Sequence, residues 1–460
     1  MRALFTCAAI AVLSSLFTPA QARANTLVSG HITSDQTWTP AGSPYLIVGD
    51  LTIDAGATLT IQAGTDIVVT NHTDNGDPDP YGIAVFGGLQ VMGQPLSKVT
   101  FSAHGGGTGT WAGIGIYIDT ANVFFEHATI GGAHTGISTF RNGTTVLINH
   151  VHFYDMVSAG VVVGDGQPQI LASLFTTNQQ AGAGILAFES GHPTIVNNVI
   201  AGFQRGIDLS QSVPGTTYIS NNTIVSSTTG LYVSPSNGAS LDVFVTNNNV
   251  NSFGPATTGI EVLSAPNVNV TLSHNNVTGA TPYVGIAAGP NSLSVNPGYV
   301  SATNFHLAPT SPMIDAGTGP SLAPLVDFDD VARPQLGGFD IGAYEFVPSV
   351  ASPTANAGPD QTFSAGGGGT ANVTLTGIGN APPGSVLLYE WLEGATSLAA
   401  TATLTHTFST GVHLLTFKVT DQYGQFGTDT VLIGVLAGGG AGTPGPAGPQ
   451  GNSLTMTADT

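Results

Sequence analysis

The chain is 460 residues long and carries 7 Lys and Arg against 27 Asp and Glu, a formal net charge of −20. A chain of that charge repels phosphate backbones and offers no basic footprint, which excludes nucleic acid as a partner. Charged residues are only 7% of the sequence while glycines number 62, so the surface must be mostly Ser, Thr, Asn and Gln; such neutral hydroxyls and amides suit sugars and also keep a protein soluble.

In chain order, residues 1–24 read as an export signal: Arg2, an apolar run from Ala3 to Phe17, then Ala22-Arg23-Ala24 as a small-residue cleavage site before Asn25. The run is too short to span a bilayer and no later stretch is long enough, so the protein is expected outside the cell with no membrane span. The single cysteine, Cys7, sits inside the signal, too near the start to follow a full apolar region, which argues against a lipid anchor. Packing and hydrogen-bonded ladders, not disulfides, must therefore hold the exported chain.

Between Asn25 and Val69 the sequence alternates as strand and turn, for example in Gly49-Asp50-Leu51-Thr52-Ile53, and reads as a first coil with its cap. A glycine followed by Ile, Val or Leu then returns at Gly115, Gly136, Gly160, Gly184, Gly206, Gly230, Gly259 and Gly285, in steps of 21, 24, 24, 22, 24, 29 and 26 residues. A second phrase keeps step with it, polar residues ending on Ile130, Phe153, Phe175, Ile200, Ile224, Val250 and Val277; its last four copies include Asn197-Asn198, Asn221-Asn222, Asn247-Asn248 and Asn275-Asn276. Two phrases on one period, with strand alternation in Gly206-Ile207-Asp208-Leu209 and no helical period, predict a solenoid of parallel β-coils. Each glycine is read as bending the chain into a strand. The asparagines are read as an internal ladder of amides between coils, or as residues that tolerate a left-handed turn.

The segment 306–347, with Ser311-Pro312-Met313-Ile314-Asp315-Ala316-Gly317 and Asp340-Ile341-Gly342-Ala343-Tyr344-Glu345, is expected to close the end of a β-helix spanning 25–305. A linker at 348–354 leads to a second domain at 355–436, and a tail at 437–460 has glycine every third residue from Gly442 to Gly451, either a flexible Pro/Gly tail or the stub of a collagen-like array.

The coil phrases resemble the right-handed parallel β-helix repeats of the pectate-lyase-like superfamily, and the 311–317 and 333–345 pair resembles the closing motif of many secreted bacterial β-helices. The resemblance implies an all-β right-handed solenoid, in a superfamily that holds polysaccharide lyases, glycoside hydrolases and non-enzymatic surface proteins. Ala357-Gly358-Pro359-Asp360-Gln361, Tyr389-Glu390-Trp391 and Leu415 to Gly424 resemble a PKD-type domain, which implies an immunoglobulin-like β-sandwich with Trp391 as its buried anchor. Gly377 to Gly384 stands where such domains usually carry an Asp-rich turn, a departure that counts against calcium there.

Candidate chemistry falls in three places. One residue past each Gly-Ile phrase, an outward row is predicted to read Leu186, Asp208, Tyr232, Glu261 and Ala287. Asp208 and Glu261 would lie two coils apart, on the order of 9–10 Å between Cα atoms, near the separation of an inverting glycosidase pair, with Tyr232 as a sugar-stacking ring and Arg205 beside them; the other reading is an ordinary acidic surface. His127, His134, His150 and His152 could supply a base or metal ligands, although their order lacks a recognised metal spacing. Asp74, Asp77 and Asp79 share a glycine-bent loop suited to calcium, or to a plain solvated turn. A β-elimination lyase needs a basic residue, and the β-helix offers Lys98, Arg141, Arg205 and Arg333. The sequence thus predicts a secreted, monomeric or loosely associated protein that binds a polysaccharide or cell-surface component without catalysis. A polysaccharide-degrading enzyme of the same fold, a hydrolase before a lyase, is the second reading.

Overall fold

The computed structural model describes residues 25–70, 81–117, 123–140, 146–226, 228–236, 238–252, 254–263, 267–319, 324–348, 353–381, 387–421 and 426–437. They form two compact units that divide between Val347 and Pro348. The first is a right-handed parallel β-helix of about nine turns. One coil shows the plan: strand Thr194–Val196, a turn at Asn197 and Asn198, strand Val199–Ala201, a bend, then strand Arg205–Gln211 leading to Gly215–Ser220 in the next coil. Stacking these elements gives three flat faces of parallel strands. Winding begins at Thr26–Ile32, which already pairs in parallel with Tyr45–Ile53, so residues 26–69 are full coils and not a separate cap.

Apolar side chains point inward from every face, and Phe101, Phe125, Phe153, Phe175 and Phe203 are completely buried along the axis. The glycine phrase occupies one face, but its reason differs from the expected bend. Gly136, Gly160, Gly184, Gly206, Gly230 and Gly259 keep ordinary strand backbone and are absent from the left-handed region. They are glycines because a Cβ would collide with the next coil: at Gly206 it would meet Ile224 and come within 2.6 Å of the Gly230 carbonyl. Ile224 ends the second phrase, so the two repeats specify each other sterically, the apolar end of one filling the space left by the glycine of the other. Register also corrects two members of the column. Gly113 pairs with Gly82 and precedes Ile114, the partner of Ile137, so this coil is represented by Gly113 and not Gly115; Tyr283 faces Ile260, which leaves Gly285 beyond the column.

The asparagine pair divides its labour. Asn197, Asn221 and Asn247 hold left-handed turns, φ 59, 53 and 57°. Asn198, Asn222, Asn248 and Asn275 form the ladder, all fully buried. Asn222 Nδ2 donates to the carbonyls of Ile195 (2.9 Å) and Ser220 (3.1 Å) and to Asn248 Oδ1 (2.9 Å), while Asn222 Oδ1 accepts from the Asn198 amide (2.8 Å) and side chain (3.0 Å). Both readings of the asparagines therefore hold, each for a different residue of the pair.

The last coil is continued by Leu293, which pairs in parallel with Asn276 and accepts from the Val277 amide (2.9 Å), whereas the expected closing segment 306–347 contacts earlier coils. From Val295 to Asp330 the described residues fold back along one lateral face as far as His150, and Arg333 to Ala343 return over Asn197, Thr223 and Asn247. The Val295 amide donates to Asn276 Oδ1 (3.0 Å), Tyr299 Oη to Asn251 Oδ1 (2.5 Å) and the Ala343 amide to Thr223 Oγ1 (3.0 Å). Val199 clusters with Ala343 and Tyr344, and Leu174, Phe305 and Phe328 pack against them. Outward Leu174 and Val199 explain the path: strands that would otherwise expose apolar side chains are roofed by the returning chain. Arg333 is the buried anchor of this roof. It donates to Glu345 Oε2 (2.7 Å) and to the Gly342 carbonyl (3.0 Å), with Asp327 and Asp340 also buried nearby.

The second unit is a small antiparallel β-sandwich. Strands Leu387–Glu393, Gly411–Asp421 and Phe426–Leu436 make the centre of one sheet, and Thr370–Thr376 pairs with Thr403–Ser409 opposite. Trp391 is fully buried, 4.6 Å from the Phe417 ring, and its indole N–H donates to the Ala402 carbonyl (3.2 Å).

Candidate functional site

The glycine face carries the predicted row. Its outward positions run Thr52, Ala84, Gly115, Ser138, Val162, Leu186, Asp208, Tyr232, Glu261 and Val284. Val284 takes the place expected of Ala287, because the final strand ends at Val284 and Gly285 (φ 70°) turns away. Asp208 is buried, with one oxygen on Arg205 Nη1 (2.5 Å) and the other accepting from Ser210 Oγ (2.7 Å). Arg205 in turn lies flat over Tyr232, 3.8 Å from the ring centroid. A general acid or base needs an oxygen free to exchange a proton with substrate, and both of Asp208's are committed. Glu261 stands one coil beyond Tyr232 with no hydrogen-bonding partner among the described residues. The arrangement serves to orient a guanidinium on an aromatic ring.

Nearer the start of the same face lies a column the sequence reading passed over. Phe86, Tyr117 and Phe140 stack at 5.2 Å between successive centroids and are 41, 37 and 38% exposed. The column continues to Phe188, whose ring and that of Phe140 both come within 3.3 Å of where a Cβ on Gly164 would sit. Tyr117 and Phe140 of this column line a groove of about 450 Å³ that also takes in Gly82, Ala84, Gly113, Gly115, Asp50 and Ser138. The signal was present in the sequence: each aromatic lies two residues past a member of the outward row, so alternation puts it on the same side of the strand.

A second concavity, about 260 Å³, opens where the fold-back chain meets the coils and is lined by Lys98, His127, His150, His152, Phe328, Asp329 and Asp330. His127 and His150 occupy the left-handed turn position that Asn197, Asn221 and Asn247 fill in later coils, and their rings stack at 4.5 Å. Glu126 Oε1 lies 3.5 Å from His127 Nε2 and 3.7 Å from His150 Nδ1. His150 Nε2 is 3.5 Å from Asp330 Oδ2. His134 stands outside this group. Burial lowers the pKa of His127, whereas the facing Glu126 carboxylate raises that of His150. At Glu126, burial works upward, but contacts from His150 and Asn149 outweigh it and leave the carboxyl below its usual range. Sequence spacing could have shown the pair, since both histidines hold the place in their phrase that Asn197 holds in its own.

His152, on the strand His152–Tyr154, accepts from or donates to Thr176 Oγ1 (2.9 Å) and is pulled down to about 4 by burial, assisted by Lys98. An unfolded histidine titrates near 6.5. The native state thus stays neutral while the unfolded chain takes up a proton, and this group's contribution is complete above about pH 6.5 and lost as pH falls toward 4. We expect His152→Gln, which can keep a hydrogen bond to Thr176, to remove on the order of 2–3 kcal/mol of acid sensitivity across that window. Melting temperatures of the two proteins at pH 4.5 and 7 check this; equal pH slopes would refute it.

Asp74, Asp77 and Asp79, the predicted calcium loop, lie outside the described residues, as do the export signal, Arg141 and the Gly/Pro tail. In comparisons with known proteins, a family model described as a right handed beta helix region matches residues 50–200 and again 96–250. No curated protein matches the chain. Among solved structures, the solution structure of the PKD domain (329-428) from human KIAA0319 is similar at 18% identity, covering 23% of this chain and 100% of that one, with a TM-score of 0.18.

Proposed function

We propose that this chain is an extracellular polysaccharide-binding β-helix that holds its ligand along the glycine face. The observation that carries the reading is the exposed Phe86, Tyr117 and Phe140 stack beside a glycine-lined groove. Sugar rings present flat C–H faces that rest on aromatic rings, and a glycine lining lets a chain of them lie close to the backbone. Further along the same face, the Tyr232 ring with its Arg205 cation extends the row of sugar-facing groups. The low content of charge and the abundance of hydroxyl and amide side chains fit a neutral glycan, and the apolar run of residues 3–17 supports export. The engagement of both Asp208 oxygens supports binding over hydrolysis.

A glycan array should give hits on neutral polysaccharides. Tyr117→Ala and Phe140→Ala should each weaken binding roughly 10- to 100-fold, about 1.4–2.8 kcal/mol, and Tyr232→Ala should act in the same direction. Binding indifferent to all three substitutions would move the site off this face, and new reducing ends or unsaturated products on incubation would replace binding with cleavage.

A further inference from the structure

We propose that Glu126, His127 and His150 form a binding site for a divalent cation of the zinc class, with Asp330 of the fold-back segment orienting His150 from behind. One ligand atom from each of the three residues can be chosen so that all lie within 4.8 Å of one another. The 3.5 and 3.7 Å separations from Glu126 Oε1 are too long for good hydrogen bonds and approach the edge of a tetrahedral zinc site, roughly 3.3 Å for bonds of about 2.0–2.1 Å. Both His150 nitrogens are buried without a hydrogen bond, an orphaning that a metal at Nδ1 and a proton donated from Nε2 toward Asp330 would relieve together. That is the usual support of a metal-bound imidazole, a carboxylate accepting from its far nitrogen. Glu126 is held from its own far side, since Asn149 Nδ2 donates to Oε1 (2.9 Å) and Oε2 (3.1 Å). Two imidazoles and one carboxylate suit zinc and its neighbours better than calcium, which prefers six or more oxygens. His127 and His150 line the 260 Å³ pocket, so a further ligand would reach the metal from there, and Lys98 on the same lining would favour an anionic one.

The turn position itself supplies well-behaved variants. Asparagine holds it in three later coils and alanine at Ala172, so His127→Asn and His150→Asn are compatible with the backbone there. Full-length, tag-free protein, stripped with chelator, is titrated calorimetrically with zinc chloride. The expected result is one site of micromolar affinity or tighter, weakened at least 100-fold in the His127→Asn, His150→Asn double variant and about 10-fold in Asp330→Asn. X-ray absorption of the zinc-loaded protein should show a nitrogen and oxygen shell with imidazole scattering. No saturable zinc binding, binding at full strength in the double variant, or calcium binding as tight as zinc would each overturn the assignment.

Discussion

Arg333→Met should detach the fold-back segment from the coils, at a cost of about 3–5 kcal/mol. The guanidinium is the only cation among Glu345, Asp327 and Asp340, all buried, in the described part of that cluster. Each carboxylate also caps backbone amides: Asp327 those of Asp329, Val331 and Glu345, Asp340 those of Asp315 and Phe346. Methionine fills much of the volume but leaves these acids facing one another. Burial, with Glu345 adding to it, already raises Asp340 to about 7. Its native form therefore holds a proton that the unfolded chain releases near pH 4; the associated stability is complete below that pH and lost as pH rises through 7. The damage from Arg333→Met should accordingly deepen from pH 5 to pH 8. Hydrogen exchange of residues 293–346 at the two values measures it, and protection equal to the parent's at pH 8 would contradict the role given to Arg333.

Asn222→Ala should be nearly as damaging but in a different place. The side chain takes part in five hydrogen bonds spanning three coils; its loss strands the buried Asn198 amide and takes a side-chain donor from the Ile195 and Ser220 carbonyls, the latter keeping the Asn197 amide (3.1 Å). At about 1–3 kcal/mol for each buried group left short of a partner, a loss of about 3 kcal/mol is expected. In a solenoid that loss belongs to the interfaces between neighbouring coils. Exchange should quicken from about residue 195 to 250 and remain unchanged over 45–116. A uniform increase along the whole helix would show that the ladder is not a local fastener.

The architecture was legible because a solenoid writes each coil in the same words. The inward apolar positions, the asparagine ladder and the outward row from Leu186 to Glu261 all follow from period and alternation, since a residue's neighbour in space is its counterpart one coil away. What escaped the sequence reading was interaction across that order. The glycine at 206 is dictated by Ile224, which belongs to a different phrase of the next coil, so its reason was invisible when each phrase was read alone. The return of 293–346 over His150, Val199 and Thr223 has no period, and the outward Leu174 and Val199 that require a cover look in sequence like ordinary alternation faults. The histidine site combines both difficulties: His127 and His150 are coil counterparts, but Asp330 reaches them from a segment that repeats nothing.

The fold-back also changes how this solenoid can come apart. Stacked coils joined only to their neighbours behave as a one-dimensional polymer that frays from either end, each unit opening at its own free energy. Residues 293–346 touch coils from Asn276 back to His150, so no coil in that stretch can open without first releasing a strap shared with the others. Coils before Glu126 carry no such strap among the described residues. The β-helix unit is therefore a chain of independent links at one end and a single cooperative block at the other, with the histidine pocket at the joint between them.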